Sequence, residues 1–486
     1  MTTVRATFDS LNPATDEVVG THPIHDADHV HAVVAAARSA AEWWAGLGFA
    51  GRADRLRQWK TVLTRRAAEL AALVHEENGK PVADAMLEIN LAIDHTEWAA
   101  RHAPKVLGRR RRSSGLLMFN QTVTVEYLPL GVVGVIGPWN YPVFTPMGSI
   151  AYALAAGNAV VFKPSEYTPG VGKWLADTFA SVVPEHPVFQ VITGYGETGA
   201  ALCRSGVSKI AFTGSPGTGK KIMAACAETL TPVLIEAGGK DALLVDADAD
   251  VAAAADAAVW GGISNSGQTC IGIERVYVHE SVYDEFVSQV VEKARGVRPG
   301  KDIGPITMPS QVEIIRRHIS DALSRGARAL IGGTDDGRFV EPTVLVDVPE
   351  DAPAVREETF GPTLTIAKVS SMDEAITKAN ATTYGLGGSV FSRSQGPALA
   401  RRLRSGMVAV NSVISFAGVP ALPFGGVGDS GFGRIHGPEG LREFGRPQSV
   451  TRQRFRAPLT LTTFSRTEKT DARFAKLISL LHGRSH

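Results

Sequence analysis

Cysteine is scarce in this chain. Three occur in 486 residues: Cys203, Cys226 and Cys270. None sits in a C-x-x-C pair, and an odd number cannot pair completely, which argues against a disulfide framework and against a thiolate zinc site. No metal is expected, and at least one thiol is free to be kept for its reactivity. Net charge is also nearly absent. Lys and Arg number 50 against 49 Asp and Glu, a formal charge of +1. That balance offers no global field for gripping nucleic acid or an anionic surface, so a small, nearly neutral partner is expected. The N-terminus, MTTVRATFDSLNPATDEVVG, lacks an apolar signal core. Together with unpaired thiols this points to the cytoplasm.

One long stretch lacks charge altogether. Leu128 to Phe162 contains no Asp, Glu, Lys or Arg, and its length would cross a bilayer. Pro129, Pro138, Pro142 and Pro146, Asn140 and five glycines up to Gly157 interrupt it. It reads instead as strand, loop and helix in the buried core of a large α/β protein, with no integral membrane segment. The bulk figures agree: 44% hydrophobic and 20% charged residues describe an ordinary globular chain, and the length suggests about three domain-sized units.

What is present is a repeated alternation. Asp26 to Gly79 carries helical spacing and stops at Asn78-Gly79. TVTVEYLPLGVVGVIGP alternates and is β-branched, so it reads as strands. AVVFKPSE, VFQVITGYG, SKIAFTGS and TPVLIEAGGK are then strand-and-turn units, and helical segments follow the first three. Such alternation means a parallel sheet wound by helices, whose ligands sit at the carboxyl ends of the strands. A second α/β region begins after Lys240 with an Ala-rich helix over Val251 to about Ser264. The basic run GRRRRSS (Gly108 to Ser114) reads as a solvated loop, with nucleic-acid contact the minority reading. In the tail, Phe474, Leu477, Ile478 and Leu481 form one helical stripe that packs on the parent protein or lies on a membrane surface.

FTGSPGTGKK, Phe212 to Lys221, approaches the phosphate-loop pattern G-x-x-x-x-G-K-S/T. Lys221 stands where a Mg²⁺-binding hydroxyl belongs, so either the loop is damaged or glycine serves another purpose. Other residues carry chemistry. Cys270, in SGQTC, is the candidate nucleophile, because cysteine is the most nucleophilic side chain near neutral pH; a lone Cys is otherwise a buried structural residue, the reading given to Cys203 and Cys226. Glu236 in LIEAGGK ends an apolar strand, where a raised pKa would suit a general base, although an ion-pair partner fits equally. Asn140 in PWNYP is an amide donor able to hold an oxyanion. Lys163 and Glu166 in FKPSE could bind nucleotide hydroxyls or phosphate, and each also has a plain surface reading.

PWNYP, FKPSE, FTGS, LIEAGGK, GQTC, EETFGP and PFGG occur in that order. In this order and spacing the chain resembles the NAD(P)-dependent aldehyde dehydrogenase superfamily, from NPATDEVVG to about HGPEG, nearly its whole length. Its end looks most like the class-three-like and actinobacterial semialdehyde-dehydrogenase-like branches. The resemblance implies an α/β fold of two parallel-sheet domains with a small oligomerisation strand segment. Residues 1–110 and 129–237 would bind the dinucleotide, 238–429 would form the catalytic domain, 111–128 and 430–460 would serve oligomerisation, and 461–486 would be a tail.

It also implies roles. Cys270 would be the nucleophile, Asn140 and the Cys270 amide the oxyanion hole, and Glu236 the base for thioester hydrolysis. Pro138, Trp139, Lys163, Ser165, Glu166, Gly196, Gly214, Ser215, Glu358 and Phe360 would bind NAD, with NADP possible: Lys163 and Glu166 at the adenine ribose, Gly196 near the adenine, Glu358 at the nicotinamide ribose and Phe360 against the nicotinamide. Gly214 and Ser215 would face the pyrophosphate at a helix N-terminus, a task that needs glycine and no Mg²⁺ ligand; Lys221 is then no damage. Pro216 and Gly217 depart from the commoner form of this turn. Tyr141, Phe144 and Phe416 would line an apolar aldehyde tunnel, and Thr122 to Leu128 would bridge subunits of a homodimer or homotetramer. The expected reaction is oxidation of an aldehyde to an acid, the alternative being a succinate-semialdehyde dehydrogenase preferring NADP. A phosphate-loop nucleotidase and a catalytically silent relative are the rival classes.

Overall fold

The computed structural model describes residues 6–457 and 461–483. The parts of the segment assignments that fall on 1–5, 458–460 and 484–486 lie outside the described residues. The Asp26 side chain caps the first long helix, Ala27–Gly46, by accepting from the His29 N–H at 2.8 Å. Its buried face is Val30, Val34, Ala37, Ala41 and Trp44, the i, i+3, i+4 stripe of a core-facing helix. Helices Gly48–Arg65 and Ala67–Asn78 follow. The last stops at Gly79, whose φ of 89° is the left-handed closure that glycine allows without strain. A Cβ there would also come within 2.8 Å of Pro305.

The uncharged stretch resolves as strand Val132–Ile136, helix Phe144–Ala156 and strand Ala159–Lys163. Every residue of the three is buried, and the one charge among them is Lys163 at the carboxyl end of the last strand. They lie in a six-stranded sheet ordered Gly431–Phe432, Val233–Ala237, Lys209–Gly214, Val132–Ile136, Ala159–Lys163 and Phe189–Val191. All pairs are parallel except the short Gly431–Phe432 edge. The chain starts at the middle strand, winds outward to Phe189–Val191, then returns to the other side. The order therefore reverses between Val132–Ile136 and Lys209–Gly214, and such a switch point opens a ligand crevice at the carboxyl ends.

A seven-stranded sheet follows, ordered Arg328–Ile331, Thr343–Val346, Thr363–Val369, Ile273–His279, Asp241–Val245, Gly388–Phe391 and Ala409–Val410. Only its Arg328–Ile331 edge runs antiparallel. Leu243, Val245, Val276, Val278, Leu364 and Ile366 fill its core against the Ala-rich helix Val251–Ile263.

The chain divides into two compact units rather than three, since both sheets fall in the first, Met1–Val106 with Pro129–Gly445. The second is Leu107–Leu128 with Arg446–His486. Residues 430–445 thus group with the sheets: Gly431 and Phe432 pair with Glu236 and Ile235, and helix Gly437–Glu443 buries Leu441. In the second unit the basic run forms strand Arg110–Arg112 instead of a loop. It pairs with Gln121–Pro129, which pairs in turn with Gly445–Gln453. A tail helix, Glu468–His482, completes the unit and has no buried residue.

Candidate active site

The helix Val251–Ile263 leads into a constrained loop. Asn265, Ser266 and Gly267 take consecutive left-handed conformations, with φ of 51°, 58° and 71°. For the two non-glycine residues this costs on the order of 1 kcal/mol or more each, and such strain persists only where neighbours enforce it. The neighbours are identifiable. Asn265 Nδ2 donates to the carbonyls of Asn140 and Gln268 at 3.1 and 3.2 Å. The Ser266 hydroxyl donates to the Gly304 carbonyl at 2.6 Å, and Gln268 Oε1 accepts from the Thr307 N–H at 2.8 Å. A Cβ on Gly267 would lie 1.9 Å from the Gly361 carbonyl oxygen, so the SGQTC and EETFGP segments are in direct contact. Three residues after Gly267, Cys270 is half-buried.

Asn140 is buried beside this loop, and its Nδ2 donates to the Gln268 carbonyl at 2.9 Å. An amide nitrogen has two N–H groups, so one is held and the other is left for a ligand. The Asn140 carbonyl accepts from Lys80 Nζ at 2.7 Å. Lys80 also pairs with Glu88 at 2.5 Å and lies 3.9 Å over the Tyr141 ring. Glu88 accepts from the N–H groups of Val143 and Phe144 at 2.7 and 3.0 Å. This buried pair fixes the loop that carries Asn140.

Glu236 ends strand Val233–Ala237, is 2% exposed, and makes no hydrogen bond through either carboxylate oxygen. Burial raises its pKa from 4.5 to about 7. The Thr213 hydroxyl and the Cys270 thiol are near enough to pull it back slightly, without meeting either oxygen at hydrogen-bonding geometry. Burial also pushes the Cys270 thiol well above its usual range, and the carboxylates of Glu236, Glu358 and Asp241 push the same way. Cys203 and Cys226 lie elsewhere, buried and facing each other.

The dinucleotide candidates lie beyond the carboxyl ends of the parallel strands. Pro138 and Trp139 follow Val132–Ile136; Lys163 ends Ala159–Lys163, with Ser165 and Glu166 just after; Gly214 ends Lys209–Gly214. Lys163 is buried, donates to the Pro164 carbonyl at 3.0 Å, and stands 3.8 Å from the half-exposed Glu166. Gly196 opens a helix and leaves free space where a side chain would be. The need for glycine at 214 is internal: a Cβ would meet the Phe212 ring at 2.6 Å. The Ser215 hydroxyl caps helix Pro216–Ala227 by accepting from the Thr218 N–H at 3.3 Å. Glu358 accepts from the Gly239 N–H at 2.8 Å, and burial raises its pKa to about 8. Phe360 has a φ of 52°, and its ring meets Trp139 edge-on at 5.5 Å.

Sequence reading missed the groups that hold these in place. Lys240 pairs with Glu274 and donates to the Thr359 hydroxyl at 3.0 Å. Glu274 accepts from the N–H groups of Thr359 and Phe360 at 2.8 and 3.0 Å. Lys240 follows Gly238-Gly239 and Glu274 is the second residue of strand Ile273–His279, with no periodicity to mark either. Lys80 had one signal: a Lys directly after a helix-stopping glycine.

A pocket beside Cys270 is lined by Tyr141, Phe144, Trp260, Ile414, Ala417 and Phe424, with Asp84 and the Lys80–Glu88 pair. Phe416, expected in this wall, is buried against the Gly387 backbone, and Phe424 takes its place. The reason is local. Ile414 turns through a left-handed φ of 58°, so Ile414 and Ala417 face the pocket.

A model of the aldehyde dehydrogenase family matches residues 2–450. The chain belongs to the aldehyde dehydrogenase family. It is therefore an NAD(P)-dependent aldehyde dehydrogenase. The enzyme is 36% identical to a 4,4'-diapolycopene aldehyde oxidase of Methylomonas over 94% of this chain and 87% of that protein. It is also 36% identical to a Mycolicibacterium smegmatis protein named for succinate-semialdehyde dehydrogenase activity with NADP(+), covering 89% of this chain and 86% of the relative. Among solved structures, an NAD-dependent aldehyde dehydrogenase from Sinorhizobium meliloti superposes with a TM-score of 0.90 at 34% identity, covering 94% and 93% of the two chains. The phosphate-loop nucleotidase reading falls with this assignment.

Proposed function

We propose that the enzyme oxidises an apolar aldehyde to its carboxylic acid through a covalent bond to Cys270. The observation that carries this is Glu236: a buried carboxylate with no hydrogen-bond partner, beside the Cys270 thiol of the pocket wall, with a pKa of about 7. The Cys270 thiolate attacks the aldehyde carbon, its proton having passed to solvent. The free N–H of Asn140 and the Cys270 amide hold the oxyanion. NAD(P), when bound, accepts the hydride that leaves this carbon. The resulting Cys270 thioester is hydrolysed by a water that gives its proton to Glu236, and Glu236 returns that proton to the departing sulfur, so that the acid and the thiol are released. Aldehyde, oxidised cofactor and water thus become acid, reduced cofactor and a proton.

The cofactor residues fit a dinucleotide because they gather at the switch-point crevice, where Gly196 and the Ser215-capped helix leave helix N-termini open. In this reading Lys163, Ser165 and Glu166 hold the adenine ribose, Gly196 lies near the adenine, Gly214 and Ser215 hold the pyrophosphate, and Pro138, Trp139, Glu358 and Phe360 hold the nicotinamide end. Residues 6–110 and 129–237 serve the dinucleotide, 238–429 the catalysis, and strand Gln121–Pro129 the assembly of a homodimer or homotetramer. The enzyme works in the cytoplasm, where its three thiols stay reduced.

The alternative, a succinate-semialdehyde dehydrogenase preferring NADP, draws on the name of the M. smegmatis relative. The pocket supports it less well. Lys80 is the one cation in the wall, and it is consumed by Glu88, the Asn140 carbonyl and the Tyr141 ring. A substrate carboxylate would meet Asp84 instead. The test is aldehyde-dependent reduction of NAD and NADP across a panel of apolar aldehydes and succinate semialdehyde. Cys270→Ala should abolish the reaction, whereas Cys203→Ala and Cys226→Ala should keep it. Activity surviving Cys270→Ala would end the covalent reading.

A further inference from the structure

The two units carry opposite charge. Residues 107–128 and 446–486 hold thirteen Lys and Arg against three Asp and Glu, a net of +10 in a chain of net +1. The overall neutrality hides this segregation. Within the basic unit, helix Glu468–His482 has no buried residue: Phe474 and Leu477 are half-buried, and Ile478, Leu480 and Leu481 are exposed. At 100° per residue, Phe474, Leu477, Ile478 and Leu481 share one face, and Lys469, Arg473 and Lys476 run along its flank. Phe464, just before the helix, is fully exposed as well. Among the described residues no helix is long and apolar enough to cross a bilayer.

We propose that this helix docks the enzyme on an anionic lipid surface, lying in the plane of the interface with the Phe474–Leu481 stripe in the acyl boundary and the basic flank at the headgroups. An apolar stripe beside Lys and Arg, on a helix polar overall, is the pattern of such helices. The charge of the unit gives the sign of the surface it meets. A protein partner would have to match one specific stripe, whereas a lipid surface needs only the stripe and the charge. No residue of this helix lines the catalytic pocket, and its assignment does not depend on the reaction proposed above.

The test is sedimentation of the full chain, loaded with NAD, with vesicles of equimolar phosphatidylcholine and phosphatidylglycerol, and with vesicles of phosphatidylcholine alone. Binding is expected to the anionic vesicles only, and to fall as salt is raised. Each of Lys469→Gln, Arg473→Gln and Lys476→Gln should weaken it about five-fold. Ile478→Asp/Leu481→Asp should abolish it and leave kcat on a water-soluble aldehyde unchanged, since neither residue is buried. Absence of wild-type binding, or equal binding by the double variant, overturns the proposal. So does light scattering in which the double variant alone breaks an oligomer, because the stripe would then pack on a second copy of the chain.

Discussion

Glu88 and Glu236 are both almost wholly buried, at 1% and 2% exposure, and they are used in opposite ways. Glu88 spends its oxygens on Lys80 and on two backbone N–H groups. Glu236 has no hydrogen bond, and burial lifts its pKa to about 7. A buried charge with a full set of partners is rigid, and it positions the loop bearing Asn140. A buried carboxyl without partners sits near the point of protonation and is free to exchange a proton at neutral pH. The difference separates structure from chemistry around Cys270, and each side of it can be broken.

The largest effect is expected at Glu236. Glu236→Gln keeps the shape and removes the base, so turnover should fall by on the order of 10²–10⁴, while a single burst of NADH remains in rapid mixing. An unchanged steady-state rate would remove Glu236 from the base role. In the wild type, kcat should rise as pH increases through about 7. Stability should move the other way. The folded pKa lies above 4.5, so this carboxyl leaves the fold unpenalised below 4.5, and the penalty grows as pH rises toward 7. Glu236→Gln should therefore unfold later than wild type at pH 8 by on the order of 1–3 kcal/mol, and the advantage should vanish below pH 4.5, read from denaturant midpoints.

Breaking the other carboxylate should cost stability instead. Glu88→Gln preserves an acceptor for Val143 and Phe144 but strands the Lys80 ammonium, and removing one partner of a buried pair costs about 3–5 kcal/mol. Lys80→Met strands Glu88 in the same way. The double variant Lys80→Met/Glu88→Gln removes both charges and should recover much of the loss, a coupling that a double-mutant cycle measures directly. Additive losses would mean the two residues do not act as a pair.

These two carboxylates also mark where the sequence was readable. Glu236 ended an apolar strand, and the alternation that set that strand also set the switch point and the crevice. The stop at Gly79, the Ala-rich helix and the order of the site motifs were legible for the same reason: each is a local pattern. Glu88 was not, because it lies inside a 26-residue helix and its partners are distant in sequence. The Lys240–Glu274 pair was hidden likewise. Phe416 was misplaced because its direction depends on the left-handed turn at Ile414, and nothing in ISFAGVPALPFGG reveals a positive φ at an isoleucine. Charge segregation was missed by summing over the chain instead of over each unit.

The smallest effect concerns cofactor choice. Glu166 stands at the turn after strand Ala159–Lys163, half-exposed, with Ser165 Oγ donating to it at 3.4 Å and Lys163 Nζ 3.8 Å away. A carboxylate at the adenine ribose accepts from the 2′-hydroxyl and repels a 2′-phosphate. Lys163 offers little relief: it is buried and donates to the Pro164 carbonyl, and burial lowers its pKa. Lys220 extends toward Asp429 at 3.8 Å. Glu166 is in contact with solvent, so the repulsion is worth about 1 kcal/mol or less. NAD should therefore be preferred several-fold in kcat/KM, and Glu166→Gln should narrow or reverse the ratio without changing kcat. A strong wild-type preference for NADP, or a ratio that Glu166→Gln leaves untouched, would show that this carboxylate does not read the ribose. Unlike Glu88 and Glu236, it would then be a surface charge paired with Lys163 and nothing more.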